Sequence, residues 1–304
     1  HKRILNVLIN SDGLELCDLE ALADVSRAVI KTVEKNGYLK LVDQKIERNP
    51  LIHKNVKKDS KLELNDEQKN AYEQIEFMIE NDEFAEFLLH GITGSGKTEV
   101  YLQLIDKVIS LGKRAMVLVP EISLTPQIVD RFLARFDECI AVLHSKLSNG
   151  ERYDEWTKIK NGNAKIIIGA RSAIFAPVDN LGIIIIDEAH DMSYKSDMTP
   201  RYNAKDLAKY IAKENNIPLV LGSATPDVCD YYKAINYEEE LIELNRRANN
   251  AQLPDMKIVD MRQELAIGNR SMFSEKLKDA INENLKNKKQ TILFINRRGY
   301  STFV

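Results

Sequence analysis

Apolar and polar positions alternate in two distinct patterns through the middle of the chain. Short runs of branched apolar residues predict strands that are buried on both faces. Between these runs, apolar residues recur every three or four positions, which predicts amphipathic helices. Because the two patterns alternate from residue 85 to residue 225, we predict an α/β fold with a parallel sheet and helices on both faces. The predicted strands are Phe87–His90, Ala115–Val119, Ile140–His144, Lys165–Gly169, Ile183–Ile186 and Pro218–Leu221.

The pattern of residues 1–50 differs and predicts a small separate domain. Three short apolar clusters predict three helices, the second capped by Asp18 and the third by Ser26. Tyr38–Val42 predicts a strand with a polar return toward Arg48, and this succession is typical of a winged-helix domain. The third helix would present cations to DNA, although such domains also mediate protein contacts and cations also line solvated helix faces. These cations are Arg27, Lys31 and Lys35.

The remaining segments complete the predicted domain organisation. Residues 51–63 are polar and rich in lysine, which predicts a linker, and residues 64–235 contain the α/β lobe. Residues 236–304 are less regular, with a helix capped by Ser274 and a strand over Thr291–Ile295. We therefore predict a connector and the beginning of a second, incomplete α/β lobe. Because the chain lacks an initial Met and stops just after an apolar strand, we expect it to be a piece of a longer protein.

Composition narrows the class of protein without identifying it. The 304 residues suffice for two domains or slightly more. No apolar run has membrane-spanning length and no signal peptide opens the chain, so we expect a cytoplasmic protein without membrane contact. The net charge of −3 counts mildly against nucleic-acid binding, although local patches steer binding more than the total. Cys17, Cys139 and Cys229 lie far apart, which favours reduced thiols over a zinc site or disulfides.

The strongest chemical signal is a glycine-rich loop that matches G-x-x-x-x-G-K-[ST] at every fixed position. Glycines let backbone N–H groups surround phosphate oxygens, and the following helix points its positive end at the same anion. Lys97 would reach the outer phosphates and the Thr98 hydroxyl would bind Mg²⁺. A predicted strand precedes the loop and a helix follows it, which disfavours a chance glycine-rich turn. The residues expected to bind ATP are Gly91, Thr93, Gly94, Ser95, Gly96, Lys97 and Thr98.

A second signal is the acidic pair that follows Ile183–Ile186. The carboxyl ends of parallel strands form the edge where α/β proteins bind ligands. Asp187 would hold Mg²⁺, and Glu188 would orient and deprotonate an attacking water. His190 completes the motif and belongs to the predicted catalytic residues. The alternative is a solvated acidic loop, which the phosphate-binding motif upstream disfavours.

Three motifs at strand ends resemble those of helicase superfamily 2 in type and order. They are the glycine-rich loop, Asp187-Glu188-Ala189-His190 and Gly222-Ser223-Ala224-Thr225-Pro226. The resemblance predicts a RecA-like lobe and gives Ser223 and Thr225 the coupling of nucleotide state to nucleic-acid grip. Longer strings resemble the PriA family of bacterial primosomal replication-restart helicases. These strings are Glu99–Leu102, Leu118–Gln127, Gly169–Pro177, Asp191–Lys195 and Asn296–Tyr300.

This family resemblance implies an ATP- and Mg²⁺-dependent helicase that unwinds DNA in the 3′-to-5′ direction at abandoned replication forks. Gln68 would read the adenine edge, although a Gln in that place is often an ordinary surface residue. Residues 191–202 match an aromatic-rich loop that links DNA contact to hydrolysis, with local packing as the alternative for its tyrosines. The implied DNA-contacting residues are Ser123, Thr125, Gln127, Arg171, Ser172, Tyr194, Lys195, Arg201 and Tyr202. Single-strand-binding protein and primosome-loading proteins are the implied protein partners.

The chain departs from the family pattern in two ways. Ala189 stands where the family usually has a second Glu, a change common elsewhere in the superfamily. The family also has an amino-terminal domain, a cysteine-rich zinc module and a full second lobe with arginine fingers, none of which this sequence contains. Zinc is therefore implied for the longer family members only. Because arginine fingers contribute several powers of ten in rate, we expect this chain alone to hydrolyse ATP poorly or not at all.

Two other functions remain open from the residues. A DNA-binding regulator could use ATP only as a conformational ligand, but Glu188 argues against it because a sensor needs no water-activating carboxylate. A translocase that moves along double-stranded DNA without separating the strands would carry the same motifs.

Overall fold

The structure is a computed structural model that describes residues 2–9, 14, 16–42, 58–121, 126–136, 139–236, 239–248 and 255–294. The chain divides into two compact units, residues 1–249 and 250–304. The strands of the first unit are β1 Glu86–Gly91, β2 Arg114–Leu118, β3 Ile140–Leu143, β4 Ile166–Gly169, β5 Leu181–Ile186, β6 Leu219–Ser223 and β7 Glu240–Leu244. Its helices are α1 Lys2–Leu8, α2 Leu16–Ala23, α3 Arg27–Lys35, α4 Asp66–Asn81, α5 Lys97–Ser110, α6 Pro126–Phe136, α7 Asn149–Lys160, α8 Ala204–Glu214 and α9 Val228–Ile235.

The seven strands form one parallel sheet in the order β3-β4-β2-β5-β6-β1-β7. Successive side chains point to opposite faces, so each strand feeds two apolar layers. Leu89 and Ile185 pack in the layer that also contains residues of α4 and α5, whereas Leu88 and Ile184 pack with residues of α8. The predicted RecA-like α/β lobe with helices on both faces is therefore confirmed.

The central strand β5 shows why the sheet is so well determined by sequence. Ile183, Ile184, Ile185 and Ile186 are all completely buried. Burial of each such side chain contributes roughly 1.5–3 kcal/mol relative to exposure. Because both faces of β5 are covered, a continuous apolar run suits it better than an alternating one.

Three elements of the lobe were not among the predicted ones. Helices α8 and α9 follow β5 and β6, and β7 pairs with β1 at the edge of the sheet. In β7, Ile242 and Leu244 are buried while Glu240 and Glu243 are exposed. This alternation marks a strand at the sheet edge, and it lies in the segment predicted to be a connector.

Helices α1, α2 and α3 share an apolar cluster that includes Ile4, Leu19 and Ile30. Three details of the predicted winged helix differ from the structure. Asp18 lies inside the first turn of α2 instead of capping it, and Ser26 precedes α3 without a side-chain capping bond. Residues 38–42 form no strand in the described part of the chain, and the expected return over residues 43–50 lies outside it.

The described end of the predicted linker packs against the first unit. Asp59 N–H donates to the carbonyl of Ala134 at 2.9 Å. The backbone of Leu62 bonds to the side chains of Glu99 at 3.2 Å and Gln103 at 2.8 Å. Residues 59–62 are thus held by α5 and α6, because their backbone groups find partners on those helices.

The second unit contains α10 Met261–Ala266 and α11 Glu275–Lys286. The Ser274 side chain accepts the N–H of Leu277 at 3.2 Å, so the predicted cap is confirmed. The predicted strand at Thr291 is not found over residues 291–294, where Ile292 is 93% exposed, and residue 295 lies outside the described residues. A strand needs a neighbour for its backbone groups, and residues 255–294 include no strand to pair with. In the part of the chain that the structure describes, no helix has the length and apolarity needed to cross a membrane.

Candidate functional site

The glycine-rich loop joins the end of β1 to the start of α5. Gly94 and Gly96 have φ values of 83° and 85°, a left-handed conformation that glycine adopts without a steric penalty. A Cβ atom at Gly91 would lie 2.6 Å from the Ser95 hydroxyl, and one at Gly96 would clash with the Gln68 amide. The glycines are therefore required by the compact shape of the loop itself.

Lys97 is the first residue of α5 and is only 8% exposed. Its Nζ donates to the carbonyl of Gly91 at 2.6 Å, so the side chain folds back across the loop. Burial lowers the pKa of Lys97, and the nearby carboxylates of Glu188 and Asp187 oppose that shift. An ammonium group held in this way lies where the loop would meet a phosphate.

Asp187 and Glu188 follow β5, two strands away from β1 in the sheet. Burial raises the pKa of Asp187 and the charge of Glu188 adds to the rise, while Lys97 opposes it. Glu188 has a φ of 46°, which is unusual for a residue other than glycine and costs about 1–3 kcal/mol. With this φ, the backbone changes direction sharply at Glu188, directly after the end of the strand.

His190 links the acidic motif to the motif after β6. Its Nδ1 lies 2.8 Å from the Ser223 hydroxyl and 3.6 Å from a carboxylate oxygen of Glu188. The same hydroxyl accepts the N–H of Thr225 at 3.1 Å. The structure thus brings His190, Ser223 and Thr225 into one chain of polar contacts between β5 and β6.

Gln68 is buried and both ends of its amide are engaged. Its oxygen accepts the N–H of Asn65 at 2.9 Å, and its nitrogen donates to the carbonyl of Ser95 at 2.7 Å. Asn65 caps α4 in return by accepting the N–H of Gln68 at 2.9 Å. Gln68 therefore joins the cap of α4 to the glycine-rich loop in the structure as described.

The segment after β7 also contacts the loop, and sequence reasoning missed it. The N–H of Ala248 donates to the carbonyl of Gly94 at 3.0 Å. Arg246 N–H donates to the Glu67 carboxylate at 3.0 Å, near the start of α4. The pattern signal was weak because this contact depends on where β7 ends, and β7 itself was not predicted.

The structure changes the interpretation of Tyr194. This residue is 1% exposed, and its hydroxyl donates toward the carbonyls of Asp187 at 2.6 Å and Leu118 at 3.0 Å. A ring buried in this way cannot stack on a base, so the expected direct DNA contact does not fit this position. Local packing, the alternative left open by the sequence, describes it better.

The other residues predicted to contact DNA differ in their surroundings. Arg171 donates to the carbonyls of Ser193 at 3.1 Å and Lys195 at 2.8 Å, so it holds the backbone of the aromatic-rich loop. Tyr202 makes an edge contact with Phe175, with ring centroids 5.0 Å apart. The side chains exposed to solvent are Ser172, Lys195, Arg201 and, on α3, Arg27, Lys31 and Lys35. Ser123 and Thr125 lie outside the described residues, and for Gln127 only its place in α6 is described.

The residues at this edge fit a nucleotide with its magnesium ion. Mg²⁺ prefers oxygen ligands and is usually held by one or two carboxylates together with substrate phosphates. Thr98 on α5 and Asp187 supply such oxygens. Within the described residues, the buried Ser95 hydroxyl has no hydrogen-bond partner, which leaves a polar group free inside the loop. Those residues include no group of three or more His, Cys, Asp or Glu that could hold a metal by itself.

Comparisons with known proteins agree with the motifs. Residues 61–228 match the family model described as "Type III restriction enzyme, res subunit". The chain is similar to Replication restart protein PriA of Bacillus subtilis (strain 168), with 49% identity over 99% of this chain and 38% of that protein. The protein of the same name from Synechocystis sp. is 43% identical over 99% of this chain and 37% of the relative. The predicted resemblance is therefore confirmed, and the chain spans less than half the length of these relatives.

One solved structure is also similar to this chain. The crystal structure of the helicase MrfA bound to DNA and AMPPNP has a TM-score of 0.49 and 19% identity to this chain. The similarity covers 77% of this chain and 34% of the other protein.

Proposed function

We propose that this chain, which belongs to the family described as the res subunit of type III restriction enzymes, binds ATP with Mg²⁺ at the carboxyl edge of its sheet. One observation carries this proposal. The buried ammonium of Lys97 lies 2.6 Å from the Gly91 carbonyl in the glycine-rich loop, on the sheet edge where Asp187 and Glu188 follow β5, two strands away from β1. A phosphate chain between these groups would meet a cation on one side and acids suited to a metal on the other.

In the proposed site each residue has a separate task. Lys97 moves from the Gly91 carbonyl to the outer phosphates, and Thr98 and Asp187 hold the metal. When bound, Mg²⁺ supplies charge neutralisation of the phosphate oxygens. Glu188 orients a water molecule and accepts its proton, which is the step that separates an ATPase from a nucleotide sensor. Through His190, the position of Glu188 is communicated to Ser223 and on to Thr225.

We further propose that the chain is part of a DNA helicase of the replication-restart type, with 3′-to-5′ polarity. Support comes from the names of its relatives, which are 49% and 43% identical to this chain in alignments that cover 99% of it. The proposed DNA contacts are the exposed face of α3 and the exposed residues around the aromatic-rich loop. Because the chain spans 38% of its relative, activity, fork structure, single-strand-binding protein and primosome-loading proteins are proposals for the whole protein.

The nucleotide proposal is tested by calorimetric titration of this chain with ADP and Mg²⁺. We expect saturable binding with one site per chain. Absence of binding at millimolar nucleotide would contradict the proposal. We expect this chain alone to hydrolyse ATP slowly, even with DNA. Robust DNA-stimulated ATP turnover by this chain would refute the expectation of slow hydrolysis.

The helicase proposal is tested in the full-length protein on forked DNA with a labelled strand. Strand separation that depends on ATP and on a 3′ single-stranded loading strand supports it. ATP hydrolysis with movement but no strand separation would favour the double-strand translocase. ATP binding without turnover would favour the DNA-binding regulator.

A further inference from the structure

Tyr101 lies one helical turn after Lys97 on α5, and its hydroxyl reaches the acidic pair. The phenol oxygen is 3.2 Å from Oδ1 of Asp187. The residue is 1% exposed. Because a buried hydroxyl without a partner is costly, the contact with Asp187 offsets the cost of burying this one. Positions four apart on a helix share a face, so Lys97 and Tyr101 both point from α5 toward the site. Tyr101 lies in the string Glu99–Leu102 of the family resemblance, but it is outside the glycine-rich loop and the acidic motif.

Gly222 on β6 provides independent evidence for the position of the hydroxyl. A Cβ atom at Gly222 would overlap the Tyr101 hydroxyl and lie 3.4 Å from Oδ1 of Asp187. Glycine at this position therefore leaves the room that the phenol occupies. The carbonyl of Gly222 also accepts the N–H of Ala189 at 2.9 Å. Helix α5, strand β6 and the acidic loop after β5 thus meet around one hydroxyl group.

We propose that Tyr101 is a positioning residue that fixes the Asp187 carboxylate for the metal of the bound nucleotide. This inference rests on the proposed ATP site. A carboxylate has two oxygens with about four lone-pair sites, so Asp187 can keep the phenol bond and still offer an oxygen to Mg²⁺. A phenol carries its proton at neutral pH, so the Tyr101 hydroxyl acts as the donor to Asp187. Because α5 begins at the glycine-rich loop, the bond also keeps the acid in register with the phosphate-binding residues.

The test is Tyr101→Phe in this chain, which removes the hydroxyl and keeps the ring. Mn²⁺ replaces Mg²⁺ as a spectroscopic probe, and its affinity is measured by electron paramagnetic resonance in the presence of AMPPNP. Loss of a ligand's outer hydrogen-bond partner costs about 10–100-fold in metal affinity, and we expect about tenfold. AMPPNP affinity in EDTA should stay within about twofold of wild type, which a general loss of structure would not allow.

Tyr72→Phe is the matched control, because its hydroxyl donates to a carboxylate oxygen of Glu76 at 2.8 Å, on α4. We expect no change in Mn²⁺ affinity for this variant. In an Asp187→Asn background, Tyr101→Phe should have no further effect, since the partner is already altered. Should Tyr101→Phe fail to fold, Gly222→Ala crowds the same hydroxyl and should weaken Mn²⁺ binding.

Two failures are distinguishable. If wild type binds neither AMPPNP nor Mn²⁺ with AMPPNP, the proposed ATP site is wrong. If wild type binds both and folded Tyr101→Phe retains wild-type Mn²⁺ affinity, the positioning role is overturned and the ATP site stands.

Discussion

Buried charges lie at both ends of the strands of the sheet, which we call the amino edge and the carboxyl edge, but the charges are paired differently at the two ends. At the amino edge, Glu86 pairs with Lys209, and Glu239 lies 3.5 Å from Lys233. We refer to these four residues as the amino-edge cluster. At the carboxyl edge, Lys97 donates to a backbone carbonyl instead of to either carboxylate of the acidic pair.

The comparison shows that a shifted pKa does not by itself identify a functional residue. Burial, with the charge of Glu86 adding, raises the pKa of Glu239 to about 7. Burial and the charge of Glu188 raise the pKa of Asp187 in the same way. In the amino-edge cluster each acid has a lysine beside it, Lys209 next to Glu86 and Lys233 next to Glu239. The carboxyl edge keeps its cation and its acids apart, and this separation leaves both available to a ligand that carries phosphate and metal.

The largest expected effect is on turnover. Glu188→Gln in the full-length protein should reduce ATP hydrolysis by about a hundredfold or more, because the amide cannot accept a proton from water. ADP binding should stay within about twofold, since the backbone and the phosphate contacts remain. Glu239→Gln serves as the control from the opposite edge and should hydrolyse ATP at the wild-type rate. Equal losses in the two variants would break the distinction between the edges.

A second prediction concerns nucleotide binding by this chain. Lys97→Ala should weaken ADP binding about 10–100-fold, as expected for loss of a hydrogen bond to a charged group. Lys107→Ala on the same helix, whose ammonium pairs with Glu76 at 3.0 Å, should leave binding unchanged. Calorimetry on the three proteins measures both affinities. Wild-type affinity in Lys97→Ala would show that the loop does not hold phosphate through this ammonium.

The third prediction uses the amino-edge cluster and concerns stability. A carboxyl group with a raised folded-state pKa binds its proton more tightly in the native state, so stability falls as pH rises through the shift. The window for Glu239 runs from its ordinary value of 4.5 to about 7. Glu239→Gln removes this loss and should be more stable than wild type above pH 7, by roughly 1–3 kcal/mol.

Urea unfolding at acidic and alkaline pH checks this third prediction. Trp156 on α7 is the single tryptophan of the chain and reports on the lobe. The exposed neighbour Glu240 provides the control, because Glu240→Gln should change stability little at either pH. A stability difference between Glu239→Gln and wild type that is the same at both pH values would contradict the assignment.

The smallest effects come from two capping boxes, one at each of α4 and α7. Asn65→Ala and Ser148→Ala should each lower the free energy of unfolding by about 1 kcal/mol. Only Asn65→Ala should also weaken ADP binding, by about threefold, because its helix positions Gln68 against the loop carbonyl of Ser95. Equal ADP affinities in the two variants would mean that loss of the Asn65 cap does not affect the glycine-rich loop through Gln68.

Much of the lobe and its chemistry was accessible to sequence reasoning because the signals are local. Buried strands appear as apolar runs such as Ile183–Ile186, and the phosphate loop depends on glycines that are close in sequence. Asp187 and Glu188 were identified because they follow such a run directly. The predicted roles of these residues remain predictions, although the geometry brings them to one edge.

Errors arose where an element's environment outweighs its own residues. Strand β7 has only two buried apolar side chains, and its place is set by pairing with β1. Residues 291–294 have strand-like composition but no strand beside them in the described residues of their unit. Tyr194 is aromatic, as a residue that stacks on bases would be. Its ring is buried, however, and its hydroxyl donates to the carbonyl of Asp187.

The sequence by itself determined the parallel sheet, the glycine-rich loop and the family, since periodicity and motif spacing are written along the chain. Only the tertiary structure decided which groups meet across that sheet. The order of strands puts β6 between β5 and β1, and this order alone places Gly222 and Ser223 beside the acidic motif. It also allows Tyr101 to reach Asp187. Contacts between residues far apart in sequence depend on how complete elements pack, and no local pattern records that packing.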